Sequence, residues 1–183
     1  MKVEKLGYET LLIRSVLIFA ILILAAALRI APHPWNFTPV GALALFSGAM
    51  IRDRRLAFLA AMLAMLAGDL FLGFNKLSPL VYASFALSVV IGRLLGERRS
   101  IPRVAGATFL GSLQFFLVTN FGVWEFLNSY PHTPAGLLTC YVNGLPFFGN
   151  SLAGDAVYVA LFFGAFALAE RFSPAVHASA PKL

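Results

Sequence analysis

Residues 11–30 read LLIRSVLIFAILILAAALRI, an apolar run in which Arg14 and Arg29 carry the only charges. About 20 predominantly apolar residues is the length that a helix needs to cross the hydrocarbon core of a bilayer. The run is too long for the apolar region of a signal peptide, and no small-residue cleavage site follows it. We therefore interpret it as a first membrane span.

The composition of the whole chain agrees with this interpretation. Of its 183 residues, 60% are hydrophobic and 12% are charged, whereas a soluble domain has about 45–50% apolar and about 25% charged residues. Five more apolar blocks follow the first, at 37–51, 56–74, 77–95, 104–123 and 150–169. The sequence predicts an all-α integral membrane protein, a six-transmembrane-helix bundle, with residues 1–183 forming a single membrane domain.

The basic residues indicate how this bundle is oriented. Twelve of the 14 Lys and Arg residues lie at the N-terminal side, at the C-terminal end, or in or beside the connections between spans two and three and between spans four and five. The other three connections hold only Arg29 and Lys76. The positive-inside rule then predicts a multi-pass protein of the bacterial inner membrane with both termini cytoplasmic. The net charge of +6 is explained by this distribution, and we expect no nucleic-acid partner.

The predicted outer connections differ in character from the inner ones. They are rich in aromatic residues, Asn, His and Pro, and they contain both tryptophans; they span 33–39, 75–79 and 124–150. Within the last, the apolar stretch 137–148 is interrupted by Asn143, Gly144 and Pro146. We predict that this stretch is re-entrant or interfacial, and that 124–150 forms an outward-facing cap that helps to line a pocket.

Two aspartates lie inside predicted spans. Asp69 and Asp155 are each about five residues from the outer end of a span, so both lie roughly 8 Å below the outer surface. Charged residues at such depth are costly and mark functional sites by default. We predict that both face one shared polar site. The alternative is that either aspartate pairs with Arg29 only to fix helix packing.

Every predicted span contributes a polar group at a similar depth, which indicates a small-molecule site in the outer third of the bundle. The candidate substrate-binding residues are Arg29, His33, Trp35, Asn36, Asp69, Tyr82, Asn120, Trp124, Tyr130, Tyr141, Asn150 and Asp155. No catalytic residue is predicted, and no cofactor is required. The candidates for metal ligands, Cys140, His33 and His132, are isolated along the chain.

Small residues recur at four-residue spacing on two of the predicted spans. These residues are Ala60, Ala64 and Gly68 on span three, and Ala156, Ala160 and Gly164 on span six. Such faces let helices approach closely in lipid. We expect them to pack the bundle internally; the alternative is that they dock a partner membrane protein.

Several motifs resemble an uncharacterised family of bacterial membrane proteins that is labelled only as transport proteins. They are PWNFTPVGA at 34–42, TNFGVW at 119–124, Tyr130-Pro131, Cys140-Tyr141 and PFF at 146–148. The resemblance covers nearly the whole chain. It implies transport and does not specify a substrate.

The size, the six helices, the Ala-rich first span and the proline-rich outer connections also resemble the S-components of energy-coupling-factor vitamin transporters. This looser resemblance implies a vitamin-like ligand and a separate ATPase and coupling membrane module as partners. The solitary cobalamin-binding kind is the most similar, with counterparts of His33 and Asp69. Its cobalt-ligating cysteine has no counterpart, since Cys140 lies in a different connection. Cobalamin is implied as a ligand by this resemblance alone.

Three functions remain open from the sequence. The leading hypothesis is a binding and uptake protein for a vitamin-like small molecule. An intramembrane aspartate-dependent hydrolase would need Asp69 and Asp155 about 3–5 Å apart with access to water. A non-transporting assembly subunit in the bilayer would show a closed outer surface and no cavity.

Overall fold

The computed structural model describes residues 2–32 and 34–172, with side chains described from Leu12 onward. This part of the chain forms six helices: α1 (Lys2–Ile30), α2 (Val40–Met50), α3 (Arg54–Leu72), α4 (Ser78–Leu94), α5 (Ile101–Phe126) and α6 (Pro134–Phe172). Each predicted span corresponds to one helix. The bounds differ by a few residues, except that α1 begins earlier and α6 begins 16 residues before the predicted span.

Local signals explain where the helices begin and end. Asp53 caps α3, because its carboxylate accepts a hydrogen bond of 2.9 Å from the backbone N–H of Leu56. That hydrogen bond also lowers the pKa of Asp53 below its ordinary value. At the other end, α3 stops at Gly73, whose φ of 85° ends a helix at no steric cost to glycine. Pro79 stands in the first turn of α4, where its missing N–H is harmless.

The six helices form a ring of five around one central helix. Helix α2 contacts every other helix, and the remaining five contact one another in the cyclic order α1, α3, α4, α5, α6. Nine of the 11 residues of α2 are buried, which agrees with its central position. Phe46 of α2 packs its ring edge-on against Phe162, Phe163 and Phe166 of α6. The core of the protein therefore lies around α2.

The closest helix–helix approach is between α2 and α4. A β-carbon added to Gly48 would overlap the carbonyl oxygen of Val89, and one added to Gly92 would overlap that of Leu45. The two backbones therefore touch through paired glycines, as small residues allow in membrane helices. The expectation for span six is wrong within this chain, because Ala156, Ala160 and Gly164 are exposed.

Four helical segments are long and apolar enough to cross a membrane: Leu12–Ile30, Arg54–Leu72, Ile101–Phe126 and Pro134–Phe172. Helices α2 and α4 are shorter, with 11 and 17 residues. At 1.5 Å per residue they measure about 16 and 25 Å, below the roughly 30 Å of a hydrocarbon core. Many large apolar side chains on the outside are exposed, such as Leu70 and Phe71 of α3.

The re-entrant segment that the sequence predicts is not formed. Residues 137–148 are part of α6, which is continuous over 39 residues and contains Pro146 in its interior. A proline is tolerated there when neighbouring groups satisfy the freed backbone atoms. This half of α6 packs antiparallel against α5, where the Cys140 thiol donates to the Asn120 carbonyl and the Tyr141 hydroxyl to that of Leu117. The predicted cap is therefore a helical hairpin.

Candidate functional site

A cavity lies at the N-terminal end of the central helix. Because α2 is about 16 Å long, it fills only part of the space that the five longer helices enclose. The cavity has a volume of about 160 Å³. Its lining residues are Arg29, Asn36, Thr38, Gly41, Val81, Phe85, Ser88, Gly111, Phe115, Ser151 and Asp155.

The lining residues on one side of the cavity are mainly apolar, and those contributed by other helices are mainly polar. Helices α4 and α5 contribute the rings of Phe85 and Phe115, which stack with centroids 5.2 Å apart. The α1–α2 connection and α6 contribute mainly polar groups, among them Asn36, Ser151 and Asp155. A lining of apolar rings with a few polar groups is typical of a small-molecule site.

Asp155 is held at this cavity by neutral donors. The residue is 9% exposed, and its Oδ2 accepts a hydrogen bond of 2.7 Å from the Ser112 hydroxyl of α5. The same carboxylate faces the backbone N–H of Ala42, in the first turn of α2. First-turn N–H groups have no partner within their own helix, and Pro39 offers no side-chain cap. Asp155 therefore caps α2 from a neighbouring helix.

The second aspartate belongs to an ion pair between α1 and α3. Arg29 donates to the Asp69 carboxylate and also to the Met65 sulfur, at 3.1 Å from the latter. The side chains of Arg29 and Asp69 are 14% and 8% exposed. Gly68 makes room for this arrangement, because a β-carbon there would overlap the Arg29 side chain. The Tyr82 hydroxyl of α4 faces the same carboxylate.

The two aspartates thus have different partners. Arg29 and Asp155 both line the cavity, whereas Asp69 reaches it only through its ion pair with Arg29. Among the described residues no hydrogen bond or ion pair joins the two carboxylates. One cavity is therefore lined by Asp155 and by the guanidinium of the Arg29–Asp69 pair, and a site shared by both carboxylates stays a prediction.

A polar cluster between α4 and α5 adds residues that are not among the predicted site residues. Gln114 Nε2 donates to the Ser84 carbonyl and to the Ser88 hydroxyl, each at 3.0 Å. The Ser84 hydroxyl and Gln114 Oε1 are buried and make no hydrogen bond to any described residue. Since Ser88 lines the cavity, this cluster extends its polar surface into the α4–α5 contact. The available signal was the one-turn spacing of the two serines.

Over residues 9–176 the chain matches a family of unknown function (DUF6580). The chain belongs to this family. No curated protein matches the chain, and no solved structure matches it either. The DUF6580 match includes every residue that lines the cavity, and it provides no link to S-components.

Three aromatic candidates of the DUF6580 chain, Trp124, Tyr130 and Tyr141, lie where α5 and α6 pack together and not in the cavity. The Trp124 indole donates to the Pro131 carbonyl at 2.9 Å and packs against the His132 ring. The Tyr130 hydroxyl accepts a hydrogen bond from Asn143. Neither these residues nor Tyr141 lines the cavity, so residues 124–150 contribute none of its lining residues.

Three further candidates, Asn150, Asn120 and Trp35, lie outside the cavity lining. Asn150 donates to the Trp35 carbonyl at 3.0 Å and so joins α6 to the α1–α2 connection beside the cavity. Asn120 donates to the Phe116 carbonyl within α5. The Trp35 side chain is 82% exposed.

The candidate metal ligands do not assemble in the described part of the chain. His33 lies outside the described residues. Cys140 is buried against α5, and His132 lies against Trp124. No group of three or more His, Cys, Asp or Glu side chains able to hold a metal ion occurs within residues 2–32 and 34–172.

Proposed function

We propose that this DUF6580 protein is a multi-pass membrane protein that binds a small molecule in its central cavity and serves in uptake. The observation that supports this most directly is the cavity of about 160 Å³ at the N-terminus of the short central helix. We place the protein in a bacterial inner membrane with both termini cytoplasmic, because basic residues concentrate in alternate connections.

The volume of the cavity limits the size of the ligand. An engineered cavity of about 150 Å³ holds one benzene molecule, and drug-sized ligands occupy roughly 300–1,000 Å³. The ligand that fits is therefore a single ring with one or two polar substituents. A corrin is many times larger, so we do not propose cobalamin for the cavity in this form. Vitamin-like compounds of one ring remain compatible with it.

A helix that begins within the bundle is typical of transport sites. In many transporters, half-helices end near the substrate and direct their terminal backbone groups towards it. Helix α2 begins at Val40 beside the cavity and is enclosed by the ring. If energy comes from a separate ATPase and coupling membrane module, the exposed small-residue face of α6 around Ala160 is suited to close contact with it.

The hydrolase alternative is less well supported. A pair of aspartates activates water when the two carboxylates share one proton. In this protein Asp69 is engaged by Arg29, while Asp155 is held by Ser112 and α2. The cavity in turn favours a ligand-binding protein over an assembly subunit without a ligand.

The proposal is tested by filling the cavity. A β-carbon on Gly111 would have the Ser88 hydroxyl as its nearest neighbour at 3.8 Å, so Gly111→Leu places its side chain in the space that the ligand would occupy. Gly106→Leu is the matched control, because Gly106 lies on the same helix, is exposed and has nothing within 4 Å. Native mass spectrometry of protein purified from its own host should show a bound small molecule in the wild type and in Gly106→Leu.

We expect the bound mass to be absent from Gly111→Leu. A folded Gly111→Leu protein that retains the ligand would rule out the cavity as its site. A wild-type protein that carries no small molecule, and is stabilised by none in a ligand screen, would contradict the proposed function itself.

A further inference from the structure

We infer that the molecule bound in the cavity is a small organic cation, a single ring bearing a protonated amine or similar group, with Asp155 as its counter-ion. This inference rests on the proposed function and specifies the class of ligand. It follows from the charges that line the cavity, from the groups that hold Asp155 and from the adjacent aromatic rings.

The charges at the cavity sum to a net negative charge once Asp69, the partner of Arg29, is counted. Arg29 and Asp155 are the two charged side chains that line it. The charge of Arg29 is matched by Asp69 in a buried ion pair. Within the described residues Asp155 takes part in no ion pair. One negative charge is therefore left at the cavity when Asp155 is ionised.

The partners of Asp155 position its carboxylate and provide no counter-charge. The Ser112 hydroxyl and the Ala42 N–H are neutral donors, and the start of α2 adds the positive end of a helix dipole. Donors of this kind favour an anionic acceptor. A buried carboxylate without a cation is nevertheless costly. A cationic ligand in the adjoining cavity would offset that cost, and a neutral or anionic ligand would not.

The aromatic rings favour the same ligand. Phe85 and Phe115 lie in the cavity wall with their rings stacked on each other, so they provide an apolar aromatic surface beside the polar lining residues. A ring face also attracts a nearby cation through its quadrupole. A carboxylate beside a pair of phenyl rings is thus complementary to a ring with an ammonium group.

Three probes of similar size and different charge test the inference: benzylammonium, benzyl alcohol and benzoate. Their affinities for the purified wild-type protein in detergent can be measured by isothermal titration calorimetry. We expect benzylammonium to bind at least about tenfold more tightly than benzyl alcohol, because coupling energies measured between close charges at interfaces exceed the about 1.4 kcal/mol of a tenfold difference. Benzoate should bind most weakly.

A variant then assigns the preference to one residue. Asp155→Asn keeps a side chain that accepts hydrogen bonds at the start of α2, since Asn caps helices about as well as Asp, but it removes the charge. It should weaken benzylammonium binding about 30-fold or more and leave benzyl alcohol almost unaffected. Glu170→Gln is the control: it changes the net charge equally, and Glu170 pairs with Arg14 away from the cavity.

The possible outcomes separate this inference from the proposed function. Equal affinities for benzylammonium and benzyl alcohol, or tighter binding of benzoate, would overturn the inference, as would unchanged binding in Asp155→Asn. If no probe binds while native mass spectrometry shows a ligand in the cavity, the inference fails and the proposed function stands. The probe comparison uses wild-type protein, so it remains decisive if the variant does not fold.

Discussion

The carboxylate of Asp155 lies directly on the backbone of Gly41, in the position that a β-carbon would need. This contact joins the middle of α6 to the first turn of α2. Asp155 therefore lines the cavity and also lies at the N-terminal end of the central helix. Substitutions at Gly41 should therefore perturb both the fold and the site.

Gly41→Ala should destabilise the protein, although alanine in a helix is more favourable than glycine by about 1 kcal/mol. The new β-carbon would overlap the Asp155 side chain, and overpacking of this kind costs about 1–3 kcal/mol. Reversible unfolding by SDS in mixed micelles measures the change. In the double variant Gly41→Ala, Asp155→Ala the overlapping atoms are absent, so the penalty of the glycine substitution should largely disappear.

Gly111→Ala provides the matched control for this experiment. Gly111 also lines the cavity, but its β-carbon would meet only the Ser88 hydroxyl at an ordinary 3.8 Å. We expect its stability to equal or slightly exceed that of the wild type. If Gly41→Ala were equally harmless, the close contact with Asp155 would be disproved.

The Arg29–Asp69 ion pair should behave as a buried structural unit. Asp69→Asn leaves the Arg29 guanidinium without its counter-charge, and breaking one side of a buried pair costs about 3–5 kcal/mol. Replacing both residues, as in Arg29→Met with Asp69→Leu, removes both charges and should recover most of the lost stability. SDS unfolding of Arg29→Met, of Asp69→Leu and of the double variant gives the coupling energy.

The partly exposed pair of Arg14 and Glu170 is the control for that cycle. Its atoms are 3.7 Å apart, and its side chains are 24% and 28% exposed. Partly exposed pairs contribute about 0–1 kcal/mol, so Glu170→Gln should change stability little. Equal losses in Asp69→Asn and Glu170→Gln would contradict a special role for Arg29 and Asp69.

The positions of the helices could be predicted from sequence because apolar blocks and terminal signals are local. The block at 56–74 became α3, bounded by Asp53 and Gly73. The same local reasoning failed at Pro146, where a break was predicted and the helix continues. Whether a proline breaks a helix depends on the neighbouring helix. Here α5 packs alongside this part of α6, and the local sequence around Pro146 does not predict that contact.

The site was only partly predictable for a similar reason. The cost of a charged group facing lipid correctly indicated that Asp69 and Asp155 would be buried within the bundle. The order of the helices around the bundle decides which polar groups meet, and depth carries no information about it. Ser112 and Ser88 were therefore overlooked, while Trp124 and Tyr141 were assigned to a pocket that they do not line. The central position of α2 is likewise a property of the assembled ring.

Paired glycines between α2 and α4 should be among the least replaceable residues of the fold. A β-carbon at Gly48 or Gly92 would overlap a backbone oxygen, which has less freedom to move than a side chain. We expect each alanine variant to lose at least about 1–3 kcal/mol in SDS unfolding. Because both substitutions separate the same two backbones, the double variant should lose less than the sum.

Gly164→Ala is the control for the paired glycines, since nothing lies within 4 Å of a β-carbon there. It should unfold like the wild type or slightly later, as helix propensity favours alanine. Strict additivity in Gly48→Ala, Gly92→Ala would show that the two glycines do not share one contact.

The orientation of the bundle is tested with a matched pair of serine-to-cysteine variants. Ser129 is exposed between α5 and α6, and Ser100 is exposed between α4 and α5, where its side chain makes no capping hydrogen bond. The native Cys140 is 2% exposed and should not react, so wild-type protein serves as the unlabelled control. With both termini cytoplasmic, a membrane-impermeant maleimide applied to intact spheroplasts should label Ser129→Cys and spare Ser100→Cys until the membrane is broken. Labelling of Ser100→Cys alone in intact spheroplasts would show that the basic connections face outward and that the bundle is inverted.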